Sequence, residues 1–169
     1  MKQIVALLLL ITSVISCVEP EKSSEIHTEN WSKRSVEIPK KDSLEVGKSY
    51  LSIYSQIYSL SEKRTHNLTV MVSLRNTSDS DTIYVSKANH YDTHGESIRE
   101  YIKSPIYLAP METAEIIIDE KDTSGGTGGN FIFEWYTPKD VAEPLFEGLM
   151  SSTMGKQGLS FITQAIRIK

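Results

Sequence analysis

"NLTVMVSLRNT", residues 67–77, decides the fold. Leu68, Val70, Val72 and Leu74 recur at every second position and share one face, while Thr69, Ser73 and Arg75 share the other. Successive side chains of an extended chain point to opposite faces, so this is the pattern of a strand with one face in a core and the other in water. A helix would place its apolar residues three and four apart. "NTSDSD" at 76–81 is a cluster of turn formers, after which "TIYVSKANHY" at 82–91 resumes strand composition.

Working outward, the same texture fills the chain from Leu44 on. "KSYLSIYSQIYS" (48–59) precedes the deciding stretch, and "DTHG" (92–95) marks a reversal, with Gly95 free to take a positive φ. "SIREYI" (97–102) follows. "SPIYLAP" (104–110) is bounded by prolines and predicts an edge or a crossover, because proline cannot donate to a ladder. "ETAEIIID" sets Ala114, Ile116 and Ile118 on one face, and "NFIFEWYT" does the same for Phe131, Phe133 and Trp135. "PLFEGLMSS" and "GLSFITQAIRI" complete the series. About seven or eight strands with regular turn signals and no helical period predict an all-β fold, a single antiparallel β-sandwich of Ig-like kind.

Ahead of this domain the sequence changes character. Ile4–Ile15 is an apolar run of twelve residues behind Lys2, interrupted only by Thr12 and Ser13. That suits a signal-peptide core and falls short of the roughly 20 residues a membrane span needs. "VISC" at 14–17 is similar to the bacterial lipobox, which points to lipidation of Cys17 after removal of residues 1–16. Val18, not an acidic residue, follows the cysteine. In a Gram-negative host this pattern indicates the outer membrane. Residues 17–43, rich in Glu, Lys and Ser, predict a lipid-anchored flexible tether, since such a stretch buries too little apolar surface to offset its ordering entropy. Trp31 is expected to dock loosely there or to sit in solvent. The domain then runs over 44–169.

With a net charge of −4 and no basic stripe, nucleic acid is not expected as a partner. The single cysteine rules out an internal disulfide.

Several stretches also carry a family resemblance. "LTVMVSLRNT", "HYDTHGESIREYI", "PIYLAPMETAEIIIDEKDTSGGTGGNFIFEW" and "QGLSFITQAIRI" resemble the DUF3124 family of bacterial proteins, from about Ser49 to Ile168. The resemblance implies an envelope location and one β-rich domain, and it brings no catalytic residues. A more distant likeness to bacterial Ig-like modules rests on the succession of "RNTS", "YDTHG" and "LAPMETA" between strands.

Chemistry-bearing candidates concentrate in "EKDTSGGTGGNFIFEW", residues 120–135. A phosphate loop needs Lys and Ser or Thr after its last glycine and then a helix, whereas here Asn130, Phe131 and a strand follow Gly129. Four glycines exceed what a reversal requires, so backbone must approach something closely, either another segment of the chain or a ligand. The candidate contact loop is Asp119, Asp122, Thr123, Ser124, Gly125, Gly126, Gly128, Gly129 and Asn130. Its carboxylates suit Ca²⁺ by atom type, but EF-hand spacing is absent and a solvated loop mouth is the plainer reading. His90, Asp92 and His94 form a weak transition-metal candidate across a turn, without the H-E-x-x-H pattern, and a solvent-facing strand end is the plainer alternative.

Met111, Met150 and Met154 read as core filler in preference to soft-metal ligands. Glu134 should point away from Phe133 and Trp135. No nucleophile elbow or acid–base set is present, and no cofactor is expected. The eight tyrosines favour recognition of a protein or a glycan wherever they are exposed. The resulting expectation is a lipid-anchored envelope protein, a non-enzymatic binding module for another envelope protein or polymer. The alternative is a small-ligand or metal-binding protein using the 119–130 loop.

Overall fold

The computed structural model describes residues 29–39, 43–153 and 158–169. The expected signal segment, Cys17 and Met154 lie outside them. The deciding stretch forms strand β4 (Thr69–Arg75), with Val70, Val72 and Leu74 fully buried, as alternation requires; Ser73, expected on the wet face, is buried as well.

Before it come β1 (Leu44–Ile53) and a hairpin of β2 (Gln56–Ser59) and β3 (Ser61–Asn67). After it follow β5 (Ile83–Tyr91), β6 (Ser97–Ile102), β7 (Ile106–Leu108), β8 (Thr113–Ile118) and β9 (Gly129–Pro138). The series ends with β10 (Leu145–Ser152), β11 (Leu159–Gln164) and β12 (Ile166–Arg167). One sheet has the order β12-β1-β9-β5-β6, with β7 beside the first half of β5, and the other has the order β11-β10-β4-β8. Every pairing is antiparallel. The chain changes sheet at each of the links β4–β5, β7–β8, β8–β9, β9–β10 and β11–β12. Two layers linked this often make the expected sandwich.

The described residues form more strands than the expected eight: Ser61–Asn67 adds β3, "GLSFITQAIRI" divides into β11 and β12, and "KSYLSIYSQIYS" does not run through. It breaks at Tyr54 and Ser55, and β2 then turns away to pair with β3 alone. β7 lies at the outer edge of its sheet, as its flanking prolines suggest.

The core is aromatic along its midline. β9 buries Phe131, Phe133 and Trp135 on one face. Phe133 stacks across the two layers on Phe146 of β10, with centroids 4.1 Å apart, and Phe131 stacks on Phe133 at 5.5 Å. The indole N–H of Trp135 donates to Ser49 Oγ at 2.9 Å, which satisfies the one polar atom that side chain brings into the core. Gly47 makes this possible: a β-carbon there would stand 2.1 Å from the indole ring.

Part of the expected tether belongs to this body. Residues 31–34 form a 3₁₀ turn, and Trp31 packs against the core cluster. Val36 N–H donates to Pro105 C=O at 2.9 Å, and Ser35 bridges to Ile106. Arg34 joins Glu29 and Glu112, the latter at 2.6 Å. Polar composition hid this docking because its partners, Glu112 and Pro105, lie some seventy residues downstream.

Candidate functional site

The glycine-rich segment links β8 of one sheet to β9 of the other, across one end of the sandwich. Two aspartates shape its first half. Asp119 Oδ1 accepts the Lys121 N–H at 2.8 Å, while Asp122 Oδ1 accepts the Ser124 hydroxyl at 2.6 Å and the Ser124 N–H at 3.2 Å. Asp122 Oδ2 accepts from the Arg99 guanidinium at 3.1 Å. The Ser124 hydrogen bonds, helped by its N–H and by Arg99, hold the Asp122 carboxyl below its usual range.

Its glycines face inward. Gly126 adopts a φ of +65°, and its carbonyl accepts the N–H groups of Ser55 and Gln56 at 3.1 and 3.0 Å, at the point where β1 ends. Thr93 donates its hydroxyl to Gly125 C=O at 3.1 Å and accepts the Gly128 N–H at 3.0 Å. A β-carbon on Gly125 would lie 2.7 Å from Ser55 Oγ and 2.9 Å from His90 Nε2. One on Gly129 would meet Gly125 C=O at 2.9 Å. The close approach that four glycines implied is thus made to the protein's own Ser55, His90 and Thr93. Asn130 lies beyond, in β9, opposite Ser52 and Tyr91.

His90 is not at a solvent-facing strand end. It is 1% exposed and stacks flat on Phe131 at 4.9 Å. Burial lowers its pKa from 6.5 to about 4; Arg99 adds to that, and Asp122 and Asp92 oppose it. Ser55 Oγ and His90 Nε2 are both buried without a hydrogen-bond partner among the described residues. Asp92 instead faces the exposed turn, where its carboxylate accepts the N–H groups of His94 and Glu96. His90, Asp92 and His94 therefore diverge. No group of three or more His, Cys, Asp or Glu placed to hold a metal occurs among the described residues.

The other candidates disperse. Glu134 points outward between Lys48 and Lys87, at 3.7 and 3.9 Å. Met150 is core, but Met111 is 68% exposed in a turn, at a φ of +59°. Tyr58 and Tyr107 are the exposed tyrosines.

A second region was not legible from any motif. A cleft of about 440 Å³ opens between the docked 3₁₀ turn and the end of β6, lined by Trp31, Ser32, Ser35, Tyr101, Lys103 and Ser104. Tyr101 is held from two sides. Its ring tilts against Phe131 at 5.6 Å, and its hydroxyl accepts from Arg99 at 2.9 Å. Because Arg99 also pairs with Asp122, a continuous polar chain runs from the glycine loop to the cleft wall. Arg34 and Arg99, the neighbouring arginines, are both engaged by carboxylates, whereas Lys103 takes part in no ion pair among the described residues.

No curated protein and no solved structure matches the chain. A family model does match, over residues 46–168, and it carries the description "protein of unknown function". Trp31 and the docked turn precede the matched span, which takes in all but the first two strand residues among those described. On that extent of agreement the chain belongs to the DUF3124 family.

Proposed function

We propose that this chain is a lipid-anchored protein of the cell envelope that acts by binding another envelope protein or polymer, without catalysis. The apolar run 4–15 and the "VISC" stretch support the anchor at Cys17. The cleft beside Tyr101 carries the binding reading, because it pairs two amphipathic aromatic side chains with hydroxyls and a cation on a rigid sheet end. In the manner of Ig-like modules, the sandwich acts as scaffold and its rim as the recognition surface.

The rival reading, a small ligand or metal held by Asp119, Asp122 and Asn130, draws less support. The two aspartates already cap their own loop, and Asn130 sits in a strand ladder.

Two experiments test the proposal. Cys17→Ala should move the protein from the membrane fraction to the soluble fraction; retention in the membrane would overturn the anchor. A photoreactive phenylalanine at Ser104, at the cleft, should capture a specific envelope component in living cells. The same group at Asp79, in the β4–β5 turn, should not. Equal capture at both positions, or none at either, would overturn the binding reading.

A further inference from the structure

We infer that the cleft between Trp31 and Tyr101 recognises a saccharide carrying an isolated negative charge, such as a sugar acid within a glycan chain. This rests on the binding reading above and names its ligand class. Sugar rings have an apolar C–H face and a polar rim. They are held where an aromatic face covers the first and hydroxyls or amides meet the second. Trp31 and Tyr101 supply aromatic surface at low conformational cost, each with only two side-chain torsions. Ser35 and Ser104 supply hydroxyls that both donate and accept, as sugar hydroxyls do, and Ser32, whose hydroxyl donates to Asn30 Oδ1 at 2.6 Å, supplies an acceptor. The volume of about 440 Å³ falls within the roughly 300–1,000 Å³ of small-ligand sites.

The charge pattern narrows the class. A densely anionic polymer is typically met by arginine forks, which match phosphate and carboxylate pairs. Here Arg34 is taken by Glu29 and Glu112, and Arg99 by Asp122 and the Tyr101 hydroxyl. That leaves Lys103, a single point charge on a flexible stem, at the rim. One cation among hydroxyls matches one anionic substituent on an otherwise neutral ring. A purely apolar ligand would leave the Ser35 and Ser104 hydroxyls and the Lys103 ammonium poorly solvated.

Trp31 also explains why the docked turn exists. Residues 31–35 form one wall of the cleft, and none of them is among the fully buried core residues. The arginine and the backbone bonds that hold the turn down therefore position the binding aromatic.

The test is calorimetric titration of the detergent-solubilised full chain with three probes: a hexuronic acid oligosaccharide, the neutral hexose oligosaccharide of equal length, and polyglutamate. The expected result is binding of the hexuronate at least tenfold tighter than the neutral sugar, with none to polyglutamate. Lys103→Gln should erase the preference for the acid and leave neutral-sugar affinity within about twofold. Trp31→Ala should weaken both sugars at least tenfold, and Trp31→Tyr, which keeps a ring on the docked turn, should restore most of that loss. Binding that tracks charge alone, with polyglutamate equal to hexuronate, would overturn the inference. So would sugar binding unchanged in Trp31→Ala, or no sugar binding at all. If no sugar binds while Ser104 still captures an envelope protein, the ligand class falls and the binding reading stands.

Discussion

His90 offers the sharpest consequence at the scale of a single residue. In the unfolded chain its imidazole takes up a proton near pH 6.5, and in the folded protein only near about 4. Between those values the unfolded state binds more protons, so stability rises with pH across the window and is lost as pH falls through it. The loss at the acid end is on the order of 3 kcal/mol. The carboxyls of Asp92, Asp122 and Glu112 are held below their ordinary range, so their contributions are lost at lower pH still. Denaturation midpoints measured from pH 7 to pH 4.5 should therefore fall steadily, and His90→Phe should flatten that slope. A slope unchanged by the substitution would place the titrating group elsewhere. None of this was legible in "HYDTHG", which correctly announced a turn. The residues that cover His90 are Gly125, thirty-five positions on, and Phe131, on a separate strand. Gly47 is alike in this: its reason for being glycine is a tryptophan in β9.

Strands were read more reliably than the contacts between them. Alternation in "TVMVSLR", "ETAEIII" and "NFIFEW" depends only on one face being wet and one dry, which each segment records by itself. The break at Ser55 left no such record, because it is imposed by the Gly126 carbonyl taking the N–H groups that would have continued β1. The join between the β4–β5 and β7–β8 turns was hidden for the same reason: Asn76 N–H donates to Glu112 C=O and Met111 N–H to Ser78 C=O, both at 2.9 Å, and one buried side chain adds to these backbone bonds. Asn76 is 3% exposed. Its amide donates to the carbonyls of Asp81, Leu108 and Ala109, and its oxygen accepts the Ser78 N–H. Asn76→Ala strands these buried carbonyls, so it should cost about 2–3 kcal/mol in urea denaturation. Asn76→Asp, which keeps the acceptor and loses the donors, should not recover it. A cost below about 0.5 kcal/mol would show that the backbone bonds between the two turns suffice without the Asn76 amide.

For the molecule as a whole, composition and periodicity were enough for the class of fold, since two amphipathic layers have few ways to bury their faces. Which strand lies beside which was not written locally. Strand β1 has β9 on one side, with Leu44 opposite Pro138 and Ile53 opposite Gly129, and β12 on the other, with Ser49 opposite Arg167. Neither neighbour is near it in sequence, and loop-closure entropy must be met before such pairings gain anything. Refolding of the full chain from urea should accordingly take milliseconds to seconds. A variant lacking residues 159–169, and with them β11 and β12, should lose its cooperative unfolding transition. Sub-millisecond refolding, or a truncated chain as stable as the whole, would contradict this. The same arrangement sets the order of events during synthesis. Strand β1 leaves the ribosome with both of its sheet partners still unmade, so Leu51 and Ile53 have no native cover until Phe131 and its neighbours follow. A chain that cannot close early must be kept from aggregating over that interval.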